Sequence, residues 1–234
     1  MSDSQATAGR GSTLASRAYE QLKREIITAK LLPEQKLHIG QLCERYQTGL
    51  SPIREALNRL SRDGMVLQVD RRGFRVAPIS IEHLEELTRT RCWLNEIALR
   101  ESIAHGDERW EENVVIAYHR LNRQARHVGG QDETTRDSEW EEAHRSFHGS
   151  LIAGCRSQWL RGFCDELFDA AERYRYLSRV NTRSRTPRDE HKEIMEAATS
   201  RNAAVAVRLL TEHLERTAVS VRARLETTVP VPEA

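Results

Sequence analysis

The 234-residue sequence has no run approaching the roughly 20 consecutive apolar residues that a membrane-spanning helix needs, so no membrane partner is expected. Its opening MSDSQATAGRGST holds no apolar segment of the kind a secretory leader carries. Residues 1–12 are therefore expected to be a disordered arm, 227–234 a tail, and the location cytoplasmic. The four cysteines, Cys43, Cys92, Cys155 and Cys164, form no C-x-x-C pair, which leaves reduced, mostly buried thiols as the expectation. Aromatic residues make up only 6% and hydrophobic residues 38%, against 30% charged, a mix that suits helices with one buried and one solvated face. From residue 81 onward no alternating strand pattern occurs.

What is present is uneven. Residues 1–78 carry a net charge of +5 and the remainder −4, so only the first part is suited to meeting a polyanion. Leu14, Ala18, Leu22 and Ile26 recur every four residues behind a possible cap at Thr13, which predicts a helix over 13–29 ended by Leu31-Leu32-Pro33. A short helix follows near Ile39–Tyr46, with Leu42 inward. Gln47–Leu50 reads as a tight turn in which Gly49 is free to take positive φ. Ser51-Pro52 reads as the N-cap and first position of a third helix, whose apolar face is Ile53, Ala56, Leu57 and Leu60. Asp63-Gly64 stops it. Met65–Val69 and Phe74–Val76 read as two strands with Asp70–Gly73 at the hairpin tip. This is a winged helix-turn-helix over 13–78.

The rest, 81–226, shows only helical periods, broken at Gly106-Asp107, Val128–Gly130, Gly154-Cys155 and Thr186-Pro187. That predicts an all-α bundle. The fold class is therefore mostly α: an N-terminal winged helix-turn-helix joined to a C-terminal helical bundle.

In a helix-turn-helix the N-terminal end of the second helix enters the major groove. Ser51, Pro52, Arg54, Glu55 and Arg59 are the candidates there. Arg54 is the expected base reader, because its fork can pair with guanine O6 and N7. Arg71 and Arg72, held out by Gly73, are candidates for the minor groove or the phosphate backbone. The run from Tyr19 through Leu32-Pro33, Leu37 and Leu42, then S-P-I-R-E-A-L-x-R-L, D-G-M-V and R-G-F-R-V, resembles the GntR family of bacterial regulators. The resemblance implies a homodimer on a double-stranded DNA operator with an inverted repeat. Gly40 stands where many relatives carry an operator-touching arginine, which shifts the expected burden to Arg54 and the wing.

In the bundle, His144 and His148 share one helix face, and His191 and His213 lie on two later helices. Four imidazoles from three helices can surround one divalent metal, although an isolated H-x-x-x-H is as readily a pair of ordinary histidines. Phe147-His148, Glu190-His191-x-x-Ile194 and Glu212-His213 resemble the FCD sensor domain of the FadR subfamily. That implies a metal or effector site in a central cavity, with His144, His148, His191 and His213 as ligands. His144 replaces the Asp or Asn of many relatives, which favours Zn or Ni.

A narrower resemblance, to those members that repress genes of glutarate and 2-hydroxyglutarate catabolism, rests on W140-x-x-x-H144-x-x-F147-H148, I152-A153-G154-C155-x-S157, L167-F168-D169-x-A171 and R173-Y174-R175-Y176. It implies a small carboxylate effector. Arg91, Asn95, Tyr174 and Arg175 are its candidate contacts, an interhelical ion pair being the other reading for the charged ones. Trp93, Trp140 and Trp159 are expected in the core.

The expected function is a repressor released from its operator by that carboxylate. An architectural DNA-binding dimer with a structural metal is an alternative. A metallohydrolase is another, but H144-R145-S146-F147-H148 lacks the glutamate of H-E-x-x-H, so no enzyme activity is expected.

Overall fold

The computed structural model describes residues 13–69, 73–126, 133–178 and 189–228. The chain divides into two compact units between Ile79 and Ser80.

The first unit contains α1 (Leu14–Ile27), β1 (Lys36–Leu37), α2 (Ile39–Arg45), α3 (Leu50–Arg62), β2 (Val66–Val69) and β3 (Gly73–Val76). Thr13 caps α1, its hydroxyl accepting from the Ser16 amide at 3.1 Å. Ala18, Leu22 and Ile26 turn inward as their spacing predicts, while Leu14 at the helix end is exposed. They meet Ile53, Ala56, Leu57 and Leu60 of α3, all fully buried. Each large aliphatic side chain so buried contributes about 1.5–3 kcal/mol.

Two local expectations are corrected. Helix α3 begins at Leu50, one residue before Ser51, and Gly49 is its N-cap with no side-chain bond. Pro52 is tolerated because it still lies in the first turn, where backbone N–H groups have no partner within the helix. The positive φ of the turn falls on Gln47 (49°), while Gly49 is extended. Gln47 closes α2 in a Schellman cap, with the Thr48 amide donating to the Cys43 carbonyl at 3.0 Å. Gly64, at φ 70°, ends α3 in the same way, with Met65 N–H on the Leu60 carbonyl at 2.9 Å.

The sheet has strand order β1-β3-β2, all antiparallel, pairing Lys36 with Arg75 and Val69 with Gly73. Strand β1 was not expected; two residues are too short to show a period. The hairpin tip at 70–72, including Arg71 and Arg72, lies outside the described residues, as do the 1–12 arm and the breaks at Val128–Gly130 and Thr186-Pro187. The tail is described only as far as 228.

The second unit contains α4 (Ile81–His105), α5 (Glu108–Arg126), α6 (Glu133–Leu151), α7 (Gln158–Ser178), α8 (Glu190–Thr199) and α9 (Ala203–Thr228), with no strand among the described residues. Helix α4 packs on α7 and α9, and α5 on α6 and α8. Leu99, Val114, Phe147, Leu151, Ile194, Ala198 and Ala206 are fully buried at the centre of its core. Gly154 permits a close approach there: a Cβ at this position would stand 2.7 Å from the Ser102 carbonyl oxygen. Trp140 is in the core as expected, but Trp93 and Trp159 are not; they are 62% and 80% exposed. Among the described residues no helix is long and apolar enough to cross a membrane.

Candidate functional site

On the first unit, the face of α3 opposite Ile53 and Leu57 presents Ser51, Arg54, Glu55 and Asn58 to solvent, with Pro52 half-buried beside them. The 3.6-residue period that drives the apolar positions inward places Arg54 outward. Arg59 is half-buried and already engaged within the unit. Its guanidinium lies 4.0 Å above the Tyr19 ring and reaches the Ser16 hydroxyl at 3.5 Å, so it binds α3 to α1. Tyr19 also donates to Asp63 at 2.6 Å. Gly73, at φ 86°, starts β3 in a conformation that side chains resist. The β1–β3 register adds Lys36 beside Arg75, a pair of cations on the wing that sequence reasoning missed.

On the second unit, the structure brings all four candidate histidines together. One nitrogen from each of His144, His148, His191 and His213 lies within 4.8 Å of every other. His144 and His148, one turn apart on α6, place their Nε2 atoms 3.1 Å from one another. The His191 and His213 rings approach to 4.7 Å from α8 and α9. Trp140 stacks on His144 at 4.7 Å, and Phe147, fully buried, packs edge-on against His148 and His191.

Burial, reinforced by Arg175 and the other imidazoles, holds His144 well below the ordinary histidine pKa. Burial and neighbouring positive charge do the same to His148 and His191. His213 is lowered less, because Glu190 opposes the effect of burial. The imidazoles are thus neutral at physiological pH, the state in which they ligate metals.

Two further details fit a divalent ion. The Nε2 of His191 is buried and has no hydrogen-bond partner. The Nδ1 of His213 is 2.8 Å from Glu190 Oε2, so it donates there and leaves Nε2 facing the cluster, the outer-sphere arrangement typical of metal-binding histidines. A divalent ion held here would supply a fixed positive charge and a Lewis acid toward a carboxylate.

Beside the cluster is a cavity of about 20 Å³, room for about one water, lined by Arg91, Asn95, Arg145, His148, Cys164 and Phe168. It shares Gly149, Ile152 and Asp165 with an outer cleft of about 390 Å³ between the end of α6 and the start of α7. Arg91 is buried, and burial with the nearby Arg175 charge lowers its pKa to about 10. Its Nε has no hydrogen-bond partner, and no carboxylate among the described residues pairs with it. Asn95 donates back to the Arg91 carbonyl at 2.9 Å while lining the same cavity.

Arg175 reaches the cluster, but as a paired group: it bonds Glu141, and its Nη1 is 3.1 Å from His144 Nδ1. Tyr174 does not line the site, which corrects its expected role. One residue along α7 rotates the side chain about 100°. The Tyr174 hydroxyl accordingly meets the start of α4, at Ser80 and His83. Arg145 was missed. It pairs with Asp169 and Glu172 and sits 4.6 Å from the Phe168 ring centre, at the cavity wall. Its position between His144 and His148 in the chain was the available signal.

Comparison with known proteins accords with this division. Residues 14–76 match the model of the bacterial regulatory proteins of the gntR family, and residues 86–216 match the FCD domain. An uncharacterized HTH-type transcriptional regulator, BphR, of Paraburkholderia xenovorans (strain LB400) is 34% identical over 90% of this chain and 86% of its own length. The HTH-type transcriptional repressor GlaR of Escherichia coli (strain K12) is 32% identical over 84% of this chain and 90% of its own. Among solved structures, E. coli McbR/YncC superposes with a TM-score of 0.75 at 16% identity, over 92% of this chain and 100% of that one, a likeness of fold alone. With a gntR domain followed by an FCD domain that spans more than half of its length, the chain belongs to the GntR family of helix-turn-helix transcription regulators and is not an enzyme.

Proposed function

We propose that this regulator is a repressor that binds an inverted-repeat operator as a homodimer. It leaves the operator when a small carboxylate binds beside a divalent metal, Zn or Ni, at the histidine cluster. Arg91 carries the reading: a guanidinium buried without a carboxylate partner costs several kcal/mol unless an anion completes it. A metal on neutral imidazoles adds positive charge next to it, so the cavity is electrostatically an acid site. Glutarate and 2-hydroxyglutarate are the foremost candidates, from the sequence resemblance and from the two cationic anchors, metal and Arg91, which suit two carboxylates. A cavity of about 20 Å³ does not hold such an acid, so binding requires side chains at the α6–α7 cleft to move. That movement is the differential contact a switch requires.

For the DNA side, Ser51, Arg54 and Glu55 are the reading surface, with Arg71, Arg72, Lys36 and Arg75 on the wing. A second copy of the chain is the partner assigned to the exposed apolar face of α4 and α7, where Trp93, Ile97, Trp159 and Phe163 stand on two helices that pack together. Two reading helices at fixed spacing are what an inverted repeat demands.

The test is a thermal-shift series on the full chain, stripped of metal and reloaded with Zn or Ni, against small mono- and dicarboxylates. At about 100 times its dissociation constant an effector adds roughly 2.7 kcal/mol, or about 5–11 °C for a chain of this size. The same acid should release operator DNA in a mobility-shift assay. Stabilisation by metal but by none of the acids would instead favour a structural metal in an architectural dimer.

A further inference from the structure

We propose that His144 is not the fourth ligand of the metal but a hydrogen-bond donor. Arg175 locks it in its Nε2–H form, and the metal is held by His148, His191 and His213 alone. This rests on the metal reading above and goes beyond it by dividing the four histidines into two roles.

The division follows from which groups can donate. A guanidinium has only N–H groups and no lone pair to offer. Its Nη1 lies 3.1 Å from His144 Nδ1, so Arg175 donates and Nδ1 accepts. A neutral imidazole carries one N–H, and with Nδ1 accepting, that hydrogen is on Nε2. The Nε2 of His144 faces the Nε2 of His148 at 3.1 Å, and donates to it. A nitrogen that carries its proton has no lone pair for a metal. Ligation through Nε2 would require either loss of that proton or departure of Arg175. Arg175 is not placed to leave: its side chain is 6% exposed and it is also paired with Glu141. Trp140, stacked on the imidazole with planes only 15° apart, holds the ring orientation.

The other three nitrogens are of the opposite kind. His148 Nε2 is the acceptor in that same contact, so it carries a lone pair, and a metal that takes it displaces the His144 N–H toward the position left open. His213 gives its Nδ1 hydrogen to Glu190, which leaves a lone pair on Nε2. His191 Nε2 is buried with no partner at all. Three lone pairs and one N–H therefore meet in a cluster whose nitrogens lie within 4.8 Å of one another. Three protein ligands leave a coordination position open, as in zinc sites that exchange a small molecule, whereas four protein ligands close it. His144 then faces whatever fills that position, and its N–H selects for a ligand atom that accepts, such as a carboxylate oxygen.

Two measurements on the full-length chain decide this. Histidine ¹⁵N shifts in the metal-free protein should show His144 protonated at Nε2 and bare at Nδ1; a hydrogen on Nδ1 overturns the proposal. Co²⁺ alone is the second probe. His144→Gln, which keeps an N–H near the same place, should bind Co²⁺ within about tenfold of the wild type with the same visible absorption, while His148→Gln should lose more than about a hundredfold. Equal losses in the two variants, or a changed cobalt spectrum in His144→Gln, overturn the assignment. A wild-type chain that takes up no Co²⁺ overturns the metal reading and this division with it. A wild type that binds while His144→Gln does not overturns this division alone.

Discussion

Tyr174→Phe removes one oxygen and leaves the ring that fills the core. That oxygen donates to the Ser80 carbonyl at 3.1 Å, accepts from the Ser80 amide at 3.3 Å and lies 2.8 Å from His83 Nδ1. It therefore secures the first turn of α4, at the first residue of the sensor unit. Buried hydrogen bonds contribute about 0.5–1.5 kcal/mol each, but Ser80 and His83 are exposed and regain water when the hydroxyl goes. The expected loss is about 1–2 kcal/mol, a fall in Tm of roughly 2–8 °C. The larger consequence is positional. Tyr174 adjoins Arg175, which touches the histidine cluster, so a shift of α7 at the site reaches the start of α4 through consecutive residues. The variant should bind metal and carboxylate normally, yet release operator DNA less completely. Hydrogen exchange should quicken at His83 and Leu84, whose amides are bonded to Ser80. A melting point within about 1 °C of the wild type, with unchanged exchange in that turn, would refute the reasoning.

Arg54→Ala should weaken operator binding by about 1–3 kcal/mol and relax specificity at one position of each half-site, as read by titrations against single-base operator variants. Equal losses on all sequences would instead make Arg54 a phosphate contact. Arg91→Met should leave the fold as stable as before or stabilise it, since it removes a buried charge, while abolishing carboxylate-dependent thermal shift; strong destabilisation would mean that Arg91 is already satisfied. The Tyr19 phenol is pushed up to about 12, first by burial and then by its bond to Asp63. The unfolded chain gives up this proton near pH 10, so between pH 10 and 12 the folded state binds more protons and loses stability as pH rises. Tyr19→Phe should flatten that limb of a denaturant-midpoint curve, and an unchanged slope would count against the assignment.

What could be read in advance follows from how local the responsible physics is. The apolar faces of α1 and α3 were legible because a 3.6-residue period is carried by neighbours in sequence: Leu22, Ile26, Ile53 and Leu57 bury where that period puts them. The histidine cluster was legible only as a set, since the chain states the spacing of His144 and His148 but not that α8 and α9 return to meet them. What was not legible shares a cause, which is that partners distant in sequence decide a side chain's work. Arg59 is drawn to Tyr19, 40 residues earlier, and Tyr174 to Ser80, 94 residues earlier. Trp159 was expected inside because tryptophan favours burial, but α7 presents it at a surface that a single chain does not cover. The turn before α3 shows the same dependence at short range: glycine is the residue best suited to positive φ, yet the Schellman bond of α2 assigns that conformation to Gln47 and leaves Gly49 to begin the next helix. A residue's chemistry thus limits what it can do, and the tertiary neighbour decides which of those things it does. This is why the proton on His144 can be assigned only once Arg175 is seen beside it.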